Sequence, residues 1–155
     1  MLGLMQDPAV VTQRALTWLR ATPNRTFIFY PLLVLLVGRR IKRPEFLWLL
    51  PWGYVQYRLV GNYRRQQRAG GPGLGSMPQR LLTSGPYRFT RNPMYLGHLI
   101  FLGGLALSSG SKLAWAILLA SFPWYQQRVA YDEQRLRDKF GAAYEDYCRR
   151  VPRWF

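Results

Sequence analysis

Residues 93–131, PMYLGHLIFLGGLALSSGSKLAWAILLASFPWYQQRVAY, decide the fold. Lys112 and Arg128 are the only residues of the stretch with a permanent charge. Its apolar residues neither alternate with polar ones nor keep to one 3.6-residue stripe, so the segment is apolar all round. Ser108-Ser109-Gly110-Ser111-Lys112 is a turn cluster that divides it. The arms on either side, 93–107 and 113–131, are expected to form a membrane-spanning helical hairpin, with Pro93 in the first turn of the first arm.

Upstream, 26–37 (TFIFYPLLVLLV) and 46–60 (FLWLLPWGYVQYRLV) make a second candidate pair. Each is shorter than the roughly 20 residues of a perpendicular span. Flanking arginines and aromatics can extend them by anchoring at the interface, and Pro31 and Pro51 can kink them without forbidding a crossing. The expected fold class is therefore all-α, a single integral membrane helical bundle with about four transmembrane helices. Its parts are an N-terminal hydrophobic helix pair (26–60), a basic loop (61–92), the hairpin (93–131) and a C-terminal cytoplasmic helical tail (132–155). A soluble domain with the same helices buried is the competing arrangement, but no charged face is available to cover so much apolar surface.

Across its 155 residues the chain has 22 Lys+Arg against 7 Asp+Glu, a formal charge of +15, yet 49% of it is hydrophobic and 15% aromatic. Six Trp, ten Tyr and eight Phe exclude a disordered chain. One Cys and one His exclude a disulfide framework and leave too few ligands for an all-protein zinc site, so no metal is expected. Mean hydropathy of −0.14 is a cancellation of apolar spans against arginine-dense loops. With both termini inside, Arg14, Arg20, Arg25, the seven arginines from Arg58 to Arg91 and the seven basic residues from Arg128 onward lie on the inner face. Arg39, Arg40, Lys42, Arg43 and Lys112 lie outside, a balance that follows the positive-inside rule except at the basic first loop. No charged start, apolar run and A-x-A site opens the chain, so no removable signal peptide is expected. The expected partner is a bilayer with anionic headgroups, in an inner or plasma membrane, with the active site on the cytoplasmic side. A nucleic-acid binder is disfavoured, because the basic residues flank hydrophobic spans rather than line one solvated face. The loop glycines around NYRRQQRAGGPGLGSMPQR lack the GK[ST] and the strand of a phosphate-binding loop and read as a flexible basic linker.

Three local patterns can carry chemistry. Ser84–His98, SGPYRFTRNPMYLGH, leads into the first arm; Tyr131-Asp132-Glu133 is where carboxylates return after Glu45; and Phe140-Gly141-x-x-Tyr144-x-x-Tyr147 precedes Val151-Pro152-Arg153. An antiparallel hairpin brings its open ends together, placing Arg91, Asn92, Tyr95 and His98 beside Asp132 and Glu133 in a mixed-charge, aromatic-rich pocket at the membrane boundary. Each residue also has a plainer role: Glu133 as partner of Arg137, Arg91 as an interfacial anchor, Tyr87 and Tyr95 as belt aromatics, and His98 as a satisfied polar group between helices. Gly97 and Gly104 share a helical face suited to close packing. The tail reads as two short helices, 132–140 and 142–150, separated by Gly141. Tyr144, Tyr147, Cys148 and Val151 share an apolar face, and Glu145–Arg149 and Asp146–Arg150 are i,i+4 pairs on the other.

GPYRFTRNPMYLGHLIFLGGLAL, then YDEQRLRDKFGAAYEDY, then VPR resembles the isoprenylcysteine carboxyl methyltransferase and phospholipid N-methyltransferase superfamily of small integral-membrane enzymes. The motif falls on Arg91, Asn92, Pro93, Tyr95, Gly97, Gly104, Asp132, Glu133, Phe140, Gly141, Tyr144 and Tyr147. Asn92 departs from the histidine form and Asp132 from a Glu-Glu pair. The resemblance implies an S-adenosylmethionine-dependent methyltransferase whose lipophilic acceptor is of the isoprenylcysteine carboxylate, aminophospholipid or thiol type. It implies cofactor contacts from Tyr87, Asn92, Tyr95, Gly97, His98, Asp132 and Glu133, catalysis by Arg91, Glu133 and Tyr95, and acceptor binding by Arg91 and Arg153. The alternatives are a membrane reductase of isoprenoid or sterol type and a non-enzymatic basic membrane protein that binds anionic lipid.

Overall fold

The computed structural model describes residues 21–38, 41–69 and 78–155, which contain helices and connecting segments and, among them, no strand. Arg14, Arg20, Arg39, Arg40 and most of the glycine-rich loop lie outside the described residues. Pro31 explains the unusual first helix. It has no N–H to return to the carbonyl four residues earlier. The chain widens into a π-turn over Arg25–Phe29, in which the Tyr30 N–H donates to the Arg25 carbonyl. A single α-helical turn, Thr22–Asn24, precedes it, and α1, Tyr30–Gly38, continues from it. The turn buries Thr26, whose hydroxyl lies 3.1 Å from that of Tyr125.

A 3-10 turn at Pro44–Phe46 leads into α2, Leu49–Gln66. Pro51 falls in the first turn of α2, where a missing N–H leaves no intrahelical bond unmade, so it does not act as the expected kink. The expected basic loop begins later than residue 61, because Asn62–Gln66 prolong α2. Tyr, Arg and Gln carry no helix-breaking feature there.

The hairpin is α3, Pro93–Ser109, and α4, Lys112–Phe140. The turn is tighter than the sequence suggests. Gly110 alone adopts φ +59° and donates its N–H to Ala106, while Ser109 stays helical and donates its hydroxyl to the Leu105 carbonyl at 2.6 Å. The expected break at Tyr131 is absent. With no Gly or Pro between Arg128 and Phe140, α4 runs on to Gly141, whose φ of +50° ends it. Residues 132–140 are thus part of a helix of about 44 Å, not a separate tail element, and Asp132 and Glu133 sit inside it. The last helix, α5, is Ala142–Arg150. Its apolar face is as expected: Tyr144, Tyr147 and Val151 form one core with Cys148 packed against it. Its charged pairs differ, because Gly141 turns the helix back on α4. Glu145 pairs with Arg137 at 3.0 Å, and Asp146 with Arg149 one turn on.

Packing of α2 on α3 is backbone on backbone. A Cβ on Gly53 would stand 2.6 Å from the Gly97 carbonyl oxygen, and one on Gly104 would stand 2.6 Å from Leu49 Cβ. Close helix contact through small residues is the mode used where no hydrophobic force distinguishes helix from surroundings. Behind it, Val34 of α1 packs with Leu105, Ala106 and Ala114 at the closed end of the hairpin. Leu32, Leu33, Leu35, Leu36 and Val37 of α1, Trp52, Val55 and Leu59 of α2, and Trp115, Leu119 and Phe122 of α4 remain exposed. Among the described residues no helix is both long and apolar enough to cross a membrane. The apolar α3 has 17 residues, and the longer α2 and α4 carry Arg58, Arg64 and Arg65, and Gln126-Gln127-Arg128.

Candidate active site

The site lies at the open end of the hairpin, where the segment after α5 is clamped to the segment before α3. The Arg91 N–H donates to the Pro152 carbonyl at 3.0 Å. Thr90 Oγ1 and Asn92 Nδ2 both donate to the Arg153 carbonyl, at 3.0 and 3.2 Å. One turn back, the Tyr147 hydroxyl donates to the Tyr87 carbonyl at 2.6 Å. These bonds hold α5 across the hairpin mouth. They also engage one N–H of the Asn92 amide, which helps to position the clamp.

Glu133 is the buried hub. Arg153 forms a fork onto its carboxylate, Nε to Oε1 at 3.2 Å and Nη2 to Oε2 at 2.7 Å, and Arg91 Nη2 reaches Oε1 at 3.3 Å. The Glu133 side chain is 3% exposed, against 12% for Arg91 and 39% for Arg153. The plainer pairing with Arg137 does not occur, because Arg137 faces Glu145. The fork raises the pKa of the Arg153 guanidinium further above its ordinary value. Both Glu133 oxygens are engaged, so its chemistry is that of an anchor for two cations.

Asp132 differs. Among the described residues it accepts one hydrogen bond, from the Tyr95 hydroxyl at 3.3 Å, and it is half-buried. Burial raises its pKa above the ordinary carboxylate value, opposed by the Arg128 charge and the Tyr95 bond. Burial likewise pushes the phenols of Tyr87, Tyr144 and Tyr147 upward, with the Glu133 charge adding to the effect at Tyr144. They are neutral hydrogen-bonding walls.

Between these groups lies a cavity of about 550 Å³, within the usual range for a small-molecule site. Tyr87, Arg91, Asn92, Tyr95, His98, Asp132 and Glu133 line it. Gly97 does not: it faces α2, where a Cβ would stand 2.8 Å from the Gly53 carbonyl. Arg153 is not among the lining residues either, and its guanidinium meets the site through Glu133. The sequence reading misses Arg64 and Arg25, which also line the cavity. Arg64 follows Tyr57, Val60 and Gly61 on the buried face of α2, and that i, i+3, i+4, i+7 spacing is the signal that could have found it. Arg25 had no such signal, since the π-turn alters the helical register.

The sequence pattern of the phospholipid methyltransferase family matches residues 54–143, more than half of the chain. The chain belongs to that family. Among curated relatives, it is 34% identical over 76 residues to protein-S-isoprenylcysteine O-methyltransferase B of Arabidopsis thaliana, covering 47% of this chain and 38% of the relative. The protein-S-isoprenylcysteine O-methyltransferase of Schizosaccharomyces pombe is 35% identical over 75 residues, 46% of this chain and 31% of the relative. A Delta(14)-sterol reductase of Mus musculus is 36% identical over 86 residues, 52% of this chain and 21% of the relative. The chain thus spans less than two fifths of the length of these relatives. No solved structure matches it. The family match contains Arg64, Arg91, Tyr95, Asp132 and Glu133. Arg25 precedes it, and Tyr144, Tyr147 and Arg153 follow it.

Proposed function

We propose that the protein is a membrane-embedded methyltransferase that uses S-adenosylmethionine and methylates a lipophilic acceptor. One observation carries this reading: two adjacent carboxylates with opposite surroundings, anchored Glu133 and available Asp132, meet tyrosines and Arg91 in a capped cavity. The donor set suits the cofactor. Its cationic groups favour carboxylates and aromatic faces, here Asp132, Tyr95 and Tyr144, and its carboxylate favours the Arg91 guanidinium, whose buried Nε has no hydrogen-bond partner among the described residues. When bound, S-adenosylmethionine supplies an electrophilic methyl group on a positively charged sulfur.

The residues of the chain then orient and insulate the reaction. Glu133 fixes Arg91 and Arg153, Tyr95 fixes Asp132, and α5 closes the mouth against water. For an amine or thiol acceptor, Asp132 takes the proton released as the new bond to carbon forms. A carboxylate acceptor has no proton to lose. Support for a membrane setting comes from the exposed apolar faces of α1, α2 and α4 and from the basic residues around the site, which suit anionic headgroups. We place both termini and the site on the cytoplasmic side of an inner or plasma membrane, and Arg153 beside the acceptor through its tie to Glu133. Reduction of a sterol-like substrate is favoured only by the likeness to one fifth of the mouse reductase.

The test is transfer from labelled methyl donor to a panel of prenylated thiols, aminophospholipids and small thiols. With an amine or thiol acceptor, Asp132→Asn should lower the rate about 100-fold or more. The acid limb of the wild-type rate profile should lie above 3.8, the ordinary aspartate value, and vanish in the variant. Because the folded carboxyl holds its proton more tightly than the unfolded one, its ionisation opposes folding as pH rises through that window. Asp132→Asn should therefore melt higher than wild type at pH 7 and gain nothing below pH 3.8. No transfer to any acceptor, or an undiminished rate in the variant with an amine or thiol acceptor, would count against the assignment.

A further inference from the structure

Glu133 already engages both arginines that the sequence offers for an acceptor's anion, Arg91 and Arg153. The same cavity faces Arg25, which no ion pair joins to a carboxylate among the described residues. Its guanidinium carbon stands 4.9 Å from the centre of the Trp124 ring, and its buried Nε has no hydrogen-bond partner among the described residues. His98 lines the cavity too, is 3% exposed, and its Nδ1 is likewise buried and unpartnered among the described residues. Its ring stacks on Phe27 at 4.7 Å and on Tyr125 at 5.8 Å. Arg25 and His98 belong to one wall, because Thr26 bonds Tyr125 and Trp124 packs on Tyr125 at 5.2 Å. Arg64 Nε and Arg91 Nε face the cavity unpartnered as well, but Arg25 and His98 share one wall, where buried polar groups without partners are costly to leave unmet.

We infer that Arg25 and His98 form a subsite for the anionic group, carboxylate or phosphate, of an amphiphilic acceptor, distinct from the Arg91–Glu133–Arg153 cluster. A guanidinium and an imidazole carrying its proton on Nδ1 both donate to such an anion. Trp124, Tyr57, Met94 and Leu82 give the apolar walls that an attached chain requires. The inference rests on the proposed reading that the cavity takes a lipophilic acceptor. It adds that selection among acceptors depends on a residue outside the stretch that matches the family.

The experiment is calorimetric titration of the full chain in neutral detergent with monooctyl phosphate, octanoate and octanol, and separately with S-adenosylhomocysteine. At least one of the two anions should bind wild type, octanol should bind at least about tenfold more weakly, and the better anion identifies the headgroup chemistry. Arg25→Gln should lower affinity for the anion about tenfold or more, while the nucleoside product binds within about twofold of wild type. His98→Phe, which keeps the ring stack and removes both nitrogens, should independently lower affinity for the anion about tenfold or more. Equal binding of octanol and the anions, or undiminished anion binding in both variants, overturns the subsite. Arg25-dependent anion binding without any binding of S-adenosylhomocysteine would uphold the subsite and defeat the methyltransferase reading.

Discussion

Glu133→Ala should destabilise the protein by about 3 kcal/mol, the low end of what breaking a buried ion pair costs. The carboxylate is almost fully enclosed and receives three guanidinium contacts from Arg91 and Arg153. Its removal leaves Arg91, itself nearly buried, without a counter-charge. Arg153 loses less, because its side chain is partly exposed. The segment at 151–153 should loosen first, since its remaining hydrogen bonds to the hairpin mouth come from the Thr90 hydroxyl, the Arg91 backbone and the Asn92 amide. Glu133→Gln, which keeps shape and one acceptor oxygen, should cost less than the alanine variant. Thermal unfolding gives the size of the effect, and proteolytic cleavage near residue 151 gives its place. A melting temperature for Glu133→Ala within about 2 °C of wild type would contradict the role of Glu133 as hub.

Gly97→Leu should have the other large effect, with loss of folded protein rather than a graded change. Even a Cβ at this position would lie 2.8 Å from the Gly53 carbonyl oxygen and 3.0 Å from the Tyr57 nitrogen. Backbone cannot swing aside as a side-chain tip can, so α2 and α3 must separate. Gly97→Ala should already cost about 1–3 kcal/mol. Gly103 is the control: nothing lies within 4 Å of an added Cβ, and Gly103→Ala should be neutral or gain up to about 1 kcal/mol from helix propensity. Yield of monodisperse protein and its unfolding temperature check both. Equal behaviour at the two glycines would contradict the close α2–α3 packing. Because Tyr95 and His98 lie within two residues of Gly97, residual folded Gly97→Ala protein should also bind ligand more weakly.

These two sites mark what the sequence makes legible. The hairpin is readable because residues 93–131 hold only two charged residues and one turn cluster, and the pocket follows because an antiparallel pair must bring Arg91 and Tyr95 beside Asp132 and Glu133. The glycine face is readable from the spacing of Gly97 and Gly104. Other features depend on contacts that no local pattern contains. Whether Glu133 pairs with Arg137 or with Arg91 and Arg153 is decided by Gly141, which turns α5 so that Arg137 meets Glu145 and Arg153 returns to the hairpin mouth. The division of labour between Asp132 and Glu133 is hidden for the same reason: neighbours in sequence, they face different partners on one helix. Arg25 is hidden by the π-turn that Pro31 imposes.

The most direct measurement is titration of the methyl donor S-adenosylmethionine into the full chain in neutral detergent, with Asp132→Ala alongside wild type. Saturable binding of one donor per chain, weakened about tenfold or more in the variant, is the predicted result. No binding at millimolar donor, or equal affinity in the two proteins, would contradict a cofactor site built on Asp132 at the hairpin mouth.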